Sequence, residues 1–361
     1  MLSVCHVSPT YFAPESILGG GERFAEELAR AMAAHGEPFA GVKLVSFGPR
    51  ALRERPETGY ERVILRNCTR DLMTPFSPAL FRELRGADVI HCHQYHVLPT
   101  FLAAAFGRWR GSRVYASDLG GGGWTPAYHI DQSRWITAHL PLSEYAARGL
   151  RGRNRSHRVI WGGVDLARYP PRPARPAPEH DGSAVFLGRL LAHKGVHFLL
   201  EGLPADMTLH VVGPEPDAAY RERLAGLARG RDVRFHGALS DAAVIDRLGR
   251  AMVLVHPTPV DEQGSAGAHE LFGLALVEAM ARGCPVIASN AASLPEIVVP
   301  GESGLLVPPN DPAAIGRALL SLRDDPALWR RLSAGARQRV EERFTWEKVV
   351  ERCLEAYLAP W

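Results

Sequence analysis

The stretch HELFGLALVEAMARGCPV, residues 269–286, decides how the rest of the chain is read. Two carboxylates, Glu270 and Glu278, bracket seven residues. From Leu274 to Arg282 apolar side chains recur at helical spacing, through Leu274, Val277 and Ala281. Gly283 and Pro285 stop that helix, and Val286-Ile287-Ala288 reads as a short buried strand. Phe272-Gly273 breaks the chain just before the helix. Glu270 therefore falls in the loop, and the unpaired N–H groups around Gly273, Leu274 and Ala275 crown the helix start. Such an end carries partial positive charge and suits a phosphate. Glu278, one turn further in, can accept hydrogen bonds from hydroxyls beside it. A phosphate cradle flanked by two hydroxyl-binding carboxylates describes a site for a nucleotide-linked sugar. The plain alternative is an amphipathic helix with solvated acids. The order Glu, Phe-Gly, Glu, Gly-x-Pro-Val weighs against it.

These residues, EL-FG-LALVEAM-ARGCPVIAS, resemble the Glu-x7-Glu signature of retaining glycosyltransferases with the GT-B fold, in particular glycosyltransferase family 4 (glycosyl transferases group 1). The resemblance implies an α/β fold of two Rossmann-like, doubly wound parallel-sheet domains facing a cleft. It is strong over 184–320, weaker before 160, and extends over nearly the whole chain.

Composition agrees with a two-domain enzyme. The chain has 361 residues, 46% hydrophobic and 22% charged, too long for one small core. It has no run of eighteen apolar residues, so no transmembrane helix is expected. MLSVCHVSP carries no basic leader before a long apolar core, so no signal peptide is expected. Five scattered cysteines without CxxC spacing argue for reduced thiols in the cytoplasm and against structural zinc. His91, Cys92 and His93 do not read as a metal site, because successive strand residues face opposite ways. A net charge of +3 is no footprint for nucleic acid. The basic charge is concentrated in residues 1–165, with 20 Lys and Arg against 15 Asp and Glu. RGLRGRNRSHR (148–158) reads as a solvated loop, or as a contact for an anionic acceptor or the inner face of a membrane.

Working back to the start, Leu2–Val7 reads as a buried strand, 8–21 as a loop and Glu22–His35 as a helix. This is a doubly wound beginning. Gly19 and Gly21 do not complete GxGxxG, because Phe24 holds the third place. A dinucleotide fingerprint, and with it an NAD-dependent oxidoreductase, is disfavoured. In the resembled family a Gly-Gly pair here lies over the cleft, near donor diphosphate and acceptor; Gly20 and Gly21 match it. Strands follow at 42–47 and 62–65, with a short helix at 78–84. Asp88–His93 resembles the family's "DVIHxH" strand, where His91 or His93 either touches substrate or is a structural histidine. After the strand 114–117 come Asp118, Leu119 and Gly120 to Gly123, a run that lets backbone approach a ligand. Relatives often place a His here. Leu119 occupies that place, leaving Asp118 as the ionisable group on the acceptor side.

Trp161–Asp165 resembles the family's "NGVD" element and marks the end of an N-terminal acceptor-binding domain (1–165). A proline-rich linker (166–182, with PPRPARPAP at 170–178) is stiff. A nucleotide-sugar-binding domain (183–345) follows, and a last helix (346–361) packs back on the first domain. The strand 184–187 leads into Gly188-Arg189-Leu190 and then Lys194-Gly195. Arg189 can bridge oxygens bidentately and Lys194 adds a point charge; in the family this pair binds the donor diphosphate. Strands at 209–213, 233–237 and 253–256 follow. Gly213 is expected to line the nucleotide pocket and Gly237 to hold the base. The polar loop 261–269 is expected to touch the donor sugar.

The expected activity is transfer of a sugar from a nucleoside-diphosphate sugar to an acceptor hydroxyl, with retention and without a metal or other cofactor. Glu270, Arg189, Lys194 and Asp118 are the expected catalytic residues. Gly20, Gly21, Gly213, Gly237, Phe272, Gly273, Leu274 and Glu278 are expected to bind the donor. Open alternatives are a nucleotide-sugar epimerase or phosphorylase-like enzyme on the same fold, or a non-catalytic carbohydrate-binding protein. The sequence identifies neither base, sugar nor acceptor.

Overall fold

Each of two parallel sheets forms the centre of its own unit. The computed structural model describes the chain except residues 11–19, 58, 70–73, 121–128, 173–178 and 262–269, and of residues 20–22 the backbone alone. One unit is Met1–Gly162 with Trp346–Trp361, the other Gly163–Thr345. The division falls just before the expected Asp165.

The first unit runs β1 (Leu2–Val7), α1 (Gly20–His35), β2 (Phe39–Gly48), β3 (Leu52–Glu54), β4 (Glu61–Arg66), α2 (Leu80–Glu83), β5 (Val89–His93), α3 (Leu98–Arg110), β6 (Arg113–Ser117), β7 (Ala138–His139) and α4 (Glu144–Arg148). The sheet order is β3-β4-β2-β1-β5-β6-β7, parallel except where β3 pairs antiparallel with β4. Strand order reverses at β1, which sits between β2 and β5. The interior strands read as continuous apolar runs because helices cover both faces of such a sheet; β5 is buried along its whole length. Helix α1 starts at Gly20, so Gly20 and Gly21 belong to its first turn rather than to the preceding loop. Phe24, Leu28 and Met32 form its buried stripe.

The second unit runs β8 (Ala184–Leu187), α5 (Val196–Gly202), β9 (Leu209–Val212), α6 (Ala218–Leu227), β10 (Val233–Phe235), α7 (Asp241–Arg250), β11 (Val253–His256), α8 (Leu274–Ala281), β12 (Val286–Ser289), α9 (Leu294–Ile297), β13 (Leu305–Val307), α10 (Pro312–Asp324) and α11 (Pro326–Arg343). Its sheet order, β10-β9-β8-β11-β12-β13, is the doubly wound 3-2-1-4-5-6 order. The switch point lies between β8 and β11, and ligands of such sheets bind at the carboxyl ends there. Phe186, Leu199, Val255 and Ile287 belong to its core. Arg282 donates to the carbonyls of Pro170 and Pro171, which fastens the start of the proline-rich segment to the end of α8.

The last helix, α12 (Trp346–Leu358), returns to the first unit. Trp346 packs on Phe24, with ring centroids 5.4 Å apart, and Tyr115 donates to the Ala356 carbonyl at 3.0 Å.

Candidate functional site

The ends of β8, β9 and β10 are drawn together by glycines. The Gly188 N–H donates to the Val212 carbonyl at 2.9 Å, and the Gly213 N–H to the Gly237 carbonyl at 2.8 Å. Gly213 has φ +142, and a Cβ there would lie 1.9 Å from the Gly188 carbonyl oxygen. Only glycine fits so close an approach of two backbones. Arg189 follows at once. It is exposed, and its guanidinium has no partner among the described residues.

Lys194 sits on the turn before α5. Gly195 behind it has φ +71, and a Cβ there would lie 1.9 Å from the Pro257 carbonyl oxygen. The Lys194 turn is thereby pressed against the chain just beyond β11. Lys194 Nζ donates to Glu270 Oε2 at 2.6 Å. His256 Nε2, from the carboxyl end of β11, donates to the same oxygen at 2.7 Å. No described residue donates to Oε1. Burial works against the charge on Glu270, yet His256 and Lys194 outweigh it and hold the carboxyl well below its ordinary range. His256 is 3% exposed and Glu270 8%. Ser293 fixes the loop that carries Glu270, its Oγ 2.8 Å from the Glu270 carbonyl and 3.0 Å from that of Phe272.

Gly273, with φ +100, is the N-cap of α8, and no side chain caps the helix. Phe272 is buried edge-on against Phe344, at 5.8 Å between centroids, and Leu274 is half-buried at the first helical position. The backbone donors at this end are those around Gly273 and Leu274, as an anion site needs. Glu278 is half-buried on α8. Its carboxylate accepts the hydroxyl proton of Tyr169, and burial together with Glu278 pushes that phenol well above its usual value.

The remaining expected residues lie in the first unit. The Asp118 carboxyl accepts from the Gly120 N–H at 3.2 Å and is raised above its ordinary value by burial, against the pull of His96 and of the Gly120 and Tyr95 N–H groups. Gly20 and Gly21 open α1. Gly121–Gly123 and most of the loop expected to touch the sugar, 262–269, lie outside the described residues.

His91 and His93 are fully buried, and of the two readings left open for them the structural one applies. His91 Nδ1 meets the Tyr357 hydroxyl and Nε2 the Ser117 hydroxyl, both at 2.8 Å. The register of β1 on β5 sets His6 beside His91, and His6 Nδ1 lies 3.0 Å from His93 Nε2. These three are the one group of potential metal ligands among the described residues. The His93 ring stacks on those of His6 and His91 at 5.2 and 4.5 Å.

His256 was missed from the sequence. It reads there as the end of a buried strand, and only the folded contact with Glu270 reveals its partner.

The chain matches two family models, Glycosyltransferase Family 4 over residues 18–168 and Glycosyl transferases group 1 over residues 171–339. It is 33% identical over 211 residues to the glycogen synthase of Mycobacterium tuberculosis, which is 56% of this chain and 48% of that protein. It is 34% identical over 222 residues to the D-inositol 3-phosphate glycosyltransferase of Streptomyces bingchenggensis, 55% of this chain and 47% of that one. The chain thus spans about half the length of the curated relatives it matches. Among solved structures, sucrose-phosphate synthase from Thermosynechococcus elongatus superposes with a TM-score of 0.72 at 23% identity, covering 99% of this chain and 98% of that one. Anabaena HepE, solved in complex with UDP and glucose, gives 0.72 at 16% identity over 99% of both chains. With the two models together matching most of the chain, one over each half, and the same fold in these structures, the chain belongs to the GT-B glycosyltransferases of family 4.

Proposed function

We propose that this protein transfers a sugar from a nucleoside-diphosphate sugar to an acceptor hydroxyl, with retention of anomeric configuration. The observation that carries this reading is Glu270, a buried carboxylate kept anionic at the carboxyl end of a parallel sheet, with one oxygen lacking a partner among the described residues. The same unit holds Arg189, a cation with no partner among the described residues, and an uncapped helix N-terminus at Gly273.

The chemical difficulty is the charge that gathers on the departing diphosphate. In this reading Arg189, Lys194 and the start of α8 stabilise that charge, a role that preorganised donors perform without reorganisation. Gly213 lines the nucleotide pocket and the backbone at Gly237 holds the base, Phe272 and Leu274 shape the α8 end, and Glu278 receives the ribose hydroxyls. Glu270 Oε1 receives hydroxyls of the transferred sugar. The two cations stand in for a divalent ion, so no metal is required. We assign the acceptor to the first unit, with Asp118 as the ionisable group and the Gly20–Gly21 backbone against the ligand. The complexes of HepE with UDP and glucose support a nucleotide-sugar donor. A purely carbohydrate-binding role would leave the cation pair without a purpose.

The first unit also carries a basic, aromatic surface. Trp109 is 76% exposed at the end of α3, with Arg110 over its ring. Arg134 stacks on Trp135 at 4.7 Å, and the loop bearing Arg151, Arg153 and Arg155 is tied to the same turn through Asp131. Exposed arginines with an interfacial tryptophan favour an anionic acceptor or the inner leaflet of a membrane. No helix among the described residues is long and apolar enough to cross one.

Thermal-shift titration with UDP, GDP, ADP and dTDP tests the donor. Proton NMR of the product formed from the matching nucleotide sugar tests retention. Absence of stabilisation by all four nucleotides would sink the donor reading, and an inverted anomeric product would sink retention.

A further inference from the structure

Lys194 and His256 compete for a single oxygen of Glu270. Their mobilities differ. His256 ends a strand paired on both sides, to β8 and β12, and is almost completely buried. Lys194 has a flexible four-carbon stem on a turn whose backbone is jammed against Pro257 at Gly195. Its turn cannot move away, but its ammonium can rotate off. If Lys194 meets the donor diphosphate, as proposed above, it gives up part or all of its hold on Glu270. A buried carboxylate stripped of its only partner is strongly destabilised. Here it is not stripped, because the imidazole stays.

We propose that His256 is the positioning residue of the donor site, fixing the Glu270 carboxylate with Oε1 presented to the sugar while Lys194 exchanges Glu270 for the diphosphate. The inference rests on the donor reading above. A carboxylate only accepts, so His256 keeps its proton on Nε2. Its Nδ1 is buried and has no partner among the described residues. Among the described residues Glu270 is thus the ring's one hydrogen-bond partner, and the pair holds or fails together. The groups acting on the Glu270 charge are His256 from β11 and Lys194 from the turn before α5.

The consequence separates sugar from nucleotide. Removing the Nε2 donor should leave recognition of the bare nucleoside diphosphate intact and weaken recognition of the sugar attached to it. It should also let Glu270 protonate at higher pH once Lys194 is engaged. A merely space-filling histidine predicts neither effect.

The test uses the full chain with His256→Leu, His256→Asn and His256→Gln. Gln can place an amide N–H near the native Nε2; Asn is polar but too short, and it serves if the Leu variant does not fold. Calorimetry with UDP and UDP-glucose, and with GDP and GDP-mannose in parallel, gives the two affinities. Acceptor-free donor hydrolysis against pH gives the acid limb of kcat/KM. The expected result for Leu and Asn is nucleoside-diphosphate affinity within about twofold of wild type. Sugar-nucleotide affinity should fall about tenfold, the size of one lost hydrogen bond to a charged group, and the acid limb should rise by about one pH unit. Gln should restore both. Folded Leu or Asn variants with wild-type sugar-nucleotide affinity and an unmoved acid limb would overturn the proposal. So would a Gln variant as impaired as Leu. Should the wild type bind neither uridine nor guanosine ligands, the same pair of titrations is run with ADP and ADP-glucose and with dTDP and dTDP-glucose; failure to bind any of these nucleotides would bring down the donor reading, and this inference with it.

Discussion

Lys194 Nζ lies 2.6 Å from Glu270 Oε2, so the lysine expected to grip a diphosphate is engaged by a carboxylate. Arg189, the other expected cation, has no such engagement among the described residues. The two are therefore not equivalent, although they lie five positions apart on one loop.

Replacing Arg189 is expected to lower catalysis more than binding. The leaving diphosphate gains charge as the glycosidic bond breaks, and a cation that tightens its hold at that moment lowers the barrier. Arg189→Ala should reduce kcat by roughly a hundredfold, with a smaller loss of donor affinity and an unchanged melting temperature, since the side chain is exposed. Steady-state kinetics beside a thermal melt checks this; full kcat at saturating donor would reduce Arg189 to an anchor.

Glu278→Ala should weaken binding of the nucleotide by about 1.5–3 kcal/mol, the range for hydrogen bonds to a charged group. Tyr169 shares that carboxylate, which makes Tyr169→Phe the necessary companion. If the carboxylate serves the ribose, Tyr169→Phe keeps most of the affinity. If the pair is only a fastening within the second unit, both variants lose melting temperature and neither loses affinity beyond it. Calorimetry and melts on the two variants separate the cases.

Turnover is expected to survive exhaustive chelation, because Arg189 and Lys194 carry the positive charge that the diphosphate needs. Activity lost in EDTA and regained with magnesium or manganese would refute this.

Gly213→Ala should destabilise the second unit by at least about 2 kcal/mol, through strain at a special backbone conformation. A Cβ would sit 1.9 Å from the Gly188 carbonyl oxygen at φ +142. Gly237→Ala adds a side chain into open space, though also at positive φ (+62), and should cost less. Denaturant midpoints of the two variants give the comparison.

The three stacked histidines are expected to make the first unit acid-labile. Burial drives His6 down to about 3 and lowers His91 and His93 as well. The unfolded chain takes up protons at about pH 6.5, so the native state binds fewer protons below that value. The contribution of these residues is complete above about pH 6.5 and is lost as pH falls toward the folded values, on the order of 1 kcal/mol per pH unit for each histidine. His6→Phe, similar in bulk and unable to charge, should lower the midpoint of acid unfolding. An unchanged midpoint by circular dichroism would count against the trio.

What the sequence revealed follows a physical line. β8 and β11 are read to the residue because apolar runs between glycines or prolines leave little choice. The helix after Gly273 was legible because its break and its stop are both written locally. β3 and β7 were missed: one is a partly exposed edge strand and the other only two residues long, so neither has an apolar run to show. His6 beside His91 is a matter of register between strands more than eighty positions apart in the chain. Alternation within one strand rightly separated Cys92 from its neighbours, but it could not supply the third ring. Likewise Tyr169 and His256 were invisible as partners of Glu278 and Glu270, since each contact depends on a chain return that no local spacing encodes.

The return of α12 to the first unit makes the second unit, in chain terms, an insertion within it. A ribosome emits Gly163–Thr345 before the segment holding Tyr357, whose hydroxyl meets His91 and whose ring lies against Tyr115. The part of the protein made first therefore cannot close its own core until the part made second has already emerged. During synthesis the histidine face stays open the longest, and a premature stop anywhere after Thr345 and before Tyr357 would spare the donor-site residues while leaving their companion unit unfinished.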